Sequence, residues 1–245
     1  MSAAALGEHD VSNHAKRNKS CPLSGRPFPV YFLAPDGRAA IMSFLRVPFF
    51  LKASTVITSR GDFWGEMAPC EHLVQIYDRD DVFLDSLEGF ASGGLKSGDG
   101  VIIIAMPSHL TALRERILAS GIDLAAARAK DQYIDLDAEE ILATFMRDGW
   151  PDEKLFALQV GALLARAGYA GRRVRAFGEM VAVLWAQGHN GATVRLEHLW
   201  HAMCHEEGFC LFCAYPKAGF TKNSEESIRE ICDVHSRVVT FPSLN

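Results

Sequence analysis

VRAFGEM at Val174–Met180, LEHLWHAMC at Leu196–Cys204 and CLFCAYP at Cys210–Pro216 decide the fold. The first and third are short runs of mainly apolar residues, and the second repeats its apolar residues at helical spacing. The order reads strand, carboxylate-bearing turn, helix, strand. Parallel strands joined by helices place their carboxyl ends at one edge of the sheet, and open α/β folds bind ligands there. Glu179 follows the run Val174–Phe177 by a single glycine, and Tyr215 closes the run Phe209–Ala214. Both are expected at that edge, with side chains converging over one crevice.

Outward from this unit the alternation continues. HLVQIY at His72–Tyr77 reads as a strand, and Asp80–Gly94 as a helix with Phe83, Leu87 and Phe90 on one face, ended by Gly93-Gly94. VIIIA at Val101–Ala105 is a continuous apolar run, as expected of a central strand covered on both faces. A helix from Ser108 turns Leu110, Leu113 and Ile117 inward and stops at Gly121. A strand at Tyr133–Leu136, a helix at Ala138–Arg147 and a long helix opened by Pro151, Asp152 and Glu153 follow. Arg173–Phe177, Val194–Glu206, Phe209–Ala214, Asn223–Ser236 and Arg237–Thr240 complete the pattern. Strands separated by helices of this length make an α/β fold, a doubly wound, mainly parallel sheet flanked by helices. Residues 1–60 carry prolines at Pro22, Pro27, Pro29, Pro35 and Pro48 and no clean periodicity. They read as a poorly ordered N-terminal extension before a domain over 61–245. The apolar segment Ala40–Ile57 is the one piece there that could lie on a surface.

Composition excludes several classes. The 245 residues are 49% hydrophobic and 22% charged, with a net charge of −5 and a pI near 6.0. That balance argues against a nucleic-acid surface, which needs clustered Lys and Arg. Arg172, Arg173 and Arg175 form a local basic group, read as a solvated strand edge. No apolar run approaches the ~20 residues of a spanning helix, and MSAAALGEHD is too short in apolar residues for a signal peptide. Six cysteines without a secretory signal read as reduced thiols. The expected setting is cytoplasm.

Two tempting motifs dissolve on inspection. GFASGGLKS at Gly89–Ser97 resembles a phosphate loop in composition, but a leucine separates Gly94 from Lys96 and the stretch ends a helix instead of opening one. The first strand is followed by DRDD, so nucleotide binding is not expected. Cys210 and Cys213 look like half of a thiolate metal site, yet residues three apart on a strand point to opposite faces. His201 and His205 stand at i,i+4 on the face of their helix opposite the Leu196, Leu199, Trp200, Met203 stripe, where they read as solvated. Neither metal nor cofactor is expected.

The chain from about Gly61 onward resembles the MEDS domain, the methanogen/methylotroph sensory domain named for the dichloromethane-metabolism regulator. The resemblance rests on HLVQIY, the helix followed by VIIIA, GEM at Gly178–Met180, LEHL at Leu196–Leu199, LFCAYP at Leu211–Pro216 and HSRVV at His235–Val239, in that order and spacing. It implies a fold similar to the recombinase-type and circadian-clock ATPases but without their phosphate loop, a three-layer sandwich. It also implies a non-enzymatic sensor of small hydrocarbon derivatives or related metabolites, acting in bacterial or archaeal signal transduction. Family members often stand beside histidine kinases or DNA-binding domains. No output domain is recognised here, so a separate partner such as a histidine kinase or transcription regulator is expected.

The expected ligand-binding residues are Tyr77, Glu179, Glu197, Cys213 and Tyr215. Glu179 and Tyr215 would be polar anchors, with Phe177, Met180 and Trp185 as an apolar wall. Glu179 has a structural alternative as a first-turn acid of the following helix. Glu197 is expected half-buried beside Cys204, with pairing to Arg173 or Arg195 as its alternative. His72 leads its strand at the far end from Tyr77, and His235 ends a helix in the position of a cap, so both are supporting candidates. Two other classes stay open: an enzyme with Cys213 as nucleophile, which needs a base the sequence does not assign, and a pure interaction module.

Overall fold

The computed structural model describes residues 55–56, 64, 67–220 and 225–240. In chain order the elements are β1 (Thr55–Val56), β2 (His72–Tyr77), α1 (Asp80–Lys96), β3 (Gly100–Ala105), α2 (Pro107–Ala119), α3 (Leu124–Ala129), β4 (Tyr133–Asp137) and α4 (Ala138–Phe145). Then come β5 (Met146–Arg147), β6 (Trp150–Pro151), α5 (Glu153–Ala167), β7 (Val174–Gly178), α6 (Met180–Ala186), α7 (Asn190–Glu207), β8 (Cys210–Pro216), α8 (Glu225–Val234) and β9 (Arg237–Thr240). Seven strands form one sheet in the order β1-β9-β2-β8-β7-β3-β4, and every ladder in it is parallel. This is the doubly wound α/β architecture expected.

The two-residue period of the strands builds two cores. Ile102 and Ile104 of β3 and Leu211, Cys213 and Tyr215 of β8 face a layer made of α4 to α8. Val101, Ile103 and Ala105, with Cys210, Phe212 and Ala214, face a layer made of α1, α2 and α3. Every residue of β3 is buried, because helices cover both faces of it. Each Leu, Ile or Phe so enclosed contributes about 1.5–3 kcal/mol relative to exposure. Cys210 and Cys213 do fall on opposite faces, as strand geometry requires.

Three local readings are corrected. Gly93-Gly94 does not end the first helix, which runs on to Lys96. These glycines serve close packing: a Cβ at Gly93 would lie 2.9 Å from the Trp64 carbonyl oxygen, and one at Gly94 would lie 2.8 Å from a Val101 methyl. The helix from Ala138 stops at Phe145, and Met146–Arg147 pairs with Trp150–Pro151 in a small antiparallel hairpin. Arg175 is not a solvated edge residue: it is buried, its Nε donating to Asp99 at 2.7 Å and its guanidinium also donating to the Trp64 carbonyl. Arg173, outside it, pairs with the same carboxylate at 3.0 Å.

The helix of the deciding stretch, α7, begins at Asn190, four residues before the expected start. The N-terminal segment contributes β1, which pairs with Val239 and Thr240 of β9. Residues 1–54, and with them most of the apolar segment Ala40–Ile57, lie outside the described residues. Among the described residues, no helix is long and apolar enough to cross a membrane.

Candidate functional site

Beneath α7, on the sheet face formed by β2, β8 and β9, five polar side chains meet in the core. His72, Glu197, Cys213, Tyr215 and His235 are each at most 2% exposed. Register explains the strand members. His72 pairs with Leu211, Val74 with Cys213 and Ile76 with Tyr215, so alternate residues of both strands point to the α7 side. Glu197 comes down from α7. That helix packs between α6 and α8 as well as on the sheet, so its buried arc is wide and takes in Glu197 together with Leu196, Trp200 and Cys204. His235 follows α8 directly, just before β9.

Glu197 is the hub. Its Oε1 accepts a 2.5 Å hydrogen bond from the Tyr215 hydroxyl. Its Oε2 lies 3.5 Å from His72 Nε2, 3.5 Å from His235 Nε2 and 3.7 Å from Cys213 Sγ. Cys213 Sγ is 3.5 Å from His72 Nε2, and the rings of His72 and His235 lie with centroids 3.9 Å apart, tilted by 41°. Among the described residues no lysine or arginine pairs with this carboxylate. His235 Nδ1 lies 2.5 Å from the Ile231 carbonyl, which can only accept, so Nδ1 carries the proton. In the neutral ring Nε2 is then a bare lone pair, buried without a hydrogen bond and facing Glu197.

Burial decides the protonation states. It pulls His235 down to about 3, helped by His72, against the carboxylate of Glu197. It likewise holds His72 well below its ordinary value, with His201 adding and the Val234 carbonyl opposing. Both imidazoles are neutral near pH 7. The Cys213 thiol is pushed well above its ordinary value by burial and by Glu197, and the Tyr215 phenol by the same two causes.

A second group sits at the carboxyl edge. Glu179 Oε2 accepts from the Met106 amide at 2.8 Å, at the amino end of α2, and Oε1 is 2.7 Å from His109 Nδ1. The Glu179 hydrogen bond raises the His109 pKa above 6.5, against burial. Phe83 stacks on Tyr77 at 4.7 Å and meets His109 edge-on at 5.0 Å. Burial and Glu179 raise the Tyr77 phenol.

The residues that build this sheet and place these clusters coincide with a known family. The family described as MEthanogen/methylotroph, DcmR Sensory domain, MEDS, matches residues 71–236, more than half of the chain. The chain belongs to the MEDS family. No protein of curated function matches it. MEDS is a sensory domain, so a role in signalling is consistent with the family.

Within the MEDS domain the expected site residues separate into two groups. Glu197, Cys213 and Tyr215 come together, and His72 and His235 join them. His235 does cap its helix through Nδ1, yet its other nitrogen faces Glu197. Glu179 and Tyr77 do not join them: they serve the α2 end of the sheet, on the other face. The expected crevice shared by Glu179 and Tyr215 is therefore not formed. Nor do Phe177, Met180 and Trp185 form one wall. Phe177 packs with Phe83 and Phe212 on the α1 side, while Met180 and Trp185 lie on the α7 side. Trp185 donates to the Gly219 carbonyl and meets Tyr215 edge-on at 6.3 Å.

Glu197 is fully buried, not half-buried, and neither arginine reaches it: Arg173 pairs with Asp99 and Arg195 with Glu153. His201 is half-buried, and its ring lies 5.8 Å from that of His72. His109 escaped the sequence reading. Its signal was a histidine in the first turn of a helix that starts at the carboxyl edge.

Proposed function

We propose that this MEDS domain is a non-catalytic sensory module that receives a small ligand in the Glu197 cluster. The response passes through α7 and α8 to a partner, a histidine kinase or transcription regulator. One observation carries the reading: the His235 Nε2 lone pair faces a buried carboxylate at 3.5 Å with no hydrogen bond between them. Two acceptors set against each other in a core are costly unless something binds both. The cluster also joins sheet, α7 and the α8–β9 junction, so a ligand there couples three elements.

Thermal-shift measurements on the full chain test it, with a panel of one-carbon alcohols, amines, halomethanes, short carboxylates and divalent cations. At least one compound raises the midpoint saturably, Glu197→Gln abolishes the shift, and Glu179→Gln retains it. A shift lost in Glu179→Gln and kept in Glu197→Gln would move the sensing site to the carboxyl edge.

A cysteine-dependent enzyme has one observation in its favour: His72 Nε2, 3.5 Å from Cys213 Sγ, supplies the base that the sequence did not assign. Against it, burial and Glu197 hold the thiol protonated, whereas reactive cysteines have depressed pKa values and partial exposure. Rapid alkylation of Cys213 at neutral pH, mapped by peptide mass, would favour the enzyme.

A further inference from the structure

We infer that His72, Glu197, Cys213 and His235 are the four ligands of a single divalent transition-metal ion of the zinc class. The inference deepens the sensory reading above and rests on it for the site.

Geometry leads. Zinc–sulfur bonds of about 2.3 Å and zinc–nitrogen or zinc–oxygen bonds of about 2.0–2.1 Å, at tetrahedral angles, put neighbouring donors about 3.3–3.6 Å apart. The observed separations are 3.5 Å for His72 Nε2 to Glu197 Oε2, 3.5 Å for His235 Nε2 to Glu197 Oε2, 3.5 Å for His72 Nε2 to Cys213 Sγ and 3.7 Å for Cys213 Sγ to Glu197 Oε2. All four donor atoms lie within 4.8 Å of one another. The nitrogen–oxygen pairs stand too far apart for good hydrogen bonds, which close to about 2.7–3.2 Å. They are close to the edge of a coordination tetrahedron.

Chemistry agrees. Two imidazoles, a thiolate and a carboxylate form a donor set suited to zinc, cobalt, nickel or copper, and poorly suited to calcium or magnesium, which want oxygen. The supporting contacts have the expected form. His235 Nδ1–H donates to the Ile231 carbonyl, which turns Nε2 inward as a lone pair, and Tyr215 O–H holds the other carboxylate oxygen. Charge closes too. On binding, the Cys213 proton leaves to solvent, and thiolate plus carboxylate neutralise a dication in a site walled off from water. Glu197, His201 and His205 follow one another at i,i+4 along α7. The ring of His201 is 5.8 Å from His72 and 4.5 Å from the partly exposed His205. The absence of metal expected from sequence was argued from Cys210 with Cys213 and from His201 with His205. The four ligands here come from four separated segments.

The test uses the full chain, stripped with chelator and titrated with Co²⁺ and then Zn²⁺. One Co²⁺ binds per chain, with intense visible bands of tetrahedral cobalt and a thiolate-to-cobalt charge-transfer band, and Zn²⁺ bleaches both. Cys213→Ser loses the charge-transfer band with its far-ultraviolet circular dichroism unchanged. Glu197→Gln weakens Co²⁺ at least tenfold, Tyr215→Phe about tenfold, and His198→Ala leaves it unaltered. X-ray absorption of the cobalt-loaded wild type, which needs no variant to fold, reads one sulfur, two imidazoles and one oxygen. A different donor set, a charge-transfer band that survives Cys213→Ser, or no stoichiometric binding overturns the metal assignment. If metal fails to bind while an organic compound stabilises the chain in a Glu197-dependent way, the metal falls and the sensory site stands. If neither binds, both fall.

Discussion

Asp99 carries the counter-charge of two arginines, one buried and one at the surface, and it shows what a buried charge requires in this fold. Arg175 Nε sits 2.7 Å from the carboxylate and Arg173 Nε 3.0 Å. Removing one member of a buried pair leaves the other uncompensated, at a cost of about 3–5 kcal/mol. Asp99→Ala is expected to lower the unfolding free energy by that amount in urea titration, and a loss below ~1 kcal/mol would show that Arg175 finds other solvation. Glu197 has no such cation among the described residues. Glu179 stands between the two, held by the Met106 amide and by His109. Because the folded His109 pKa is raised above 6.5 by Glu179, with Asp80 adding, its stabilisation is complete below the unfolded value and is lost as pH rises through the folded one. The stability difference between wild type and His109→Gln should therefore shrink as pH rises above about 6.5. A difference that grew with pH would reverse the sign argued here. None of this was legible in the sequence, because a carboxylate's partner depends on register and helix rotation. Arg175 looked like a surface residue for the same reason.

At the scale of elements the sequence was far more legible. VIIIA at Val101–Ala105 lies within β3, a strand paired on both sides and covered on both faces, and the Arg237–Thr240 strand has the expected limits. Both readings used periodicity, which is local. Glycine-based stops fared worse, since a glycine chosen for close packing looks like one chosen for termination. Gly94 is the clearer case: an added Cβ would lie 2.8 Å from a Val101 methyl and 2.9 Å from Arg175 Cδ. Alanine is the better helix former by about 1 kcal/mol, but overpacking typically costs about 1–3 kcal/mol. Gly94→Ala is expected to destabilise the protein net, by up to about 2 kcal/mol in chemical denaturation. A stabilised variant would mean that α1 shifts freely away from the sheet.

The whole molecule is a parallel sheet between two helical layers, and its polar cluster is assembled from ends that the chain brings together late. Glu197, Cys213 and Tyr215 belong to one αβ unit that the sequence makes legible. His72 and His235 read as supporting candidates on their own elements, one as a far strand end and the other as a cap, and they reach the cluster only through the fold. β2 and β9 become neighbours only in the folded sheet, where Leu73 pairs with Arg237. A ligand held there ties β2 and β8 to α7 and to the α8–β9 junction. Ligand at 100 times its dissociation constant would add about 2.7 kcal/mol to stability. The most direct test of the central claim is amide hydrogen exchange of the full chain with and without saturating Zn²⁺. Protection should rise across 190–207 and 225–240 and in β2 and β8, with the Glu179 edge at 105–110 unchanged. Protection gained only at that edge would contradict a sensory site beneath α7, and protection gained nowhere would contradict the metal assignment.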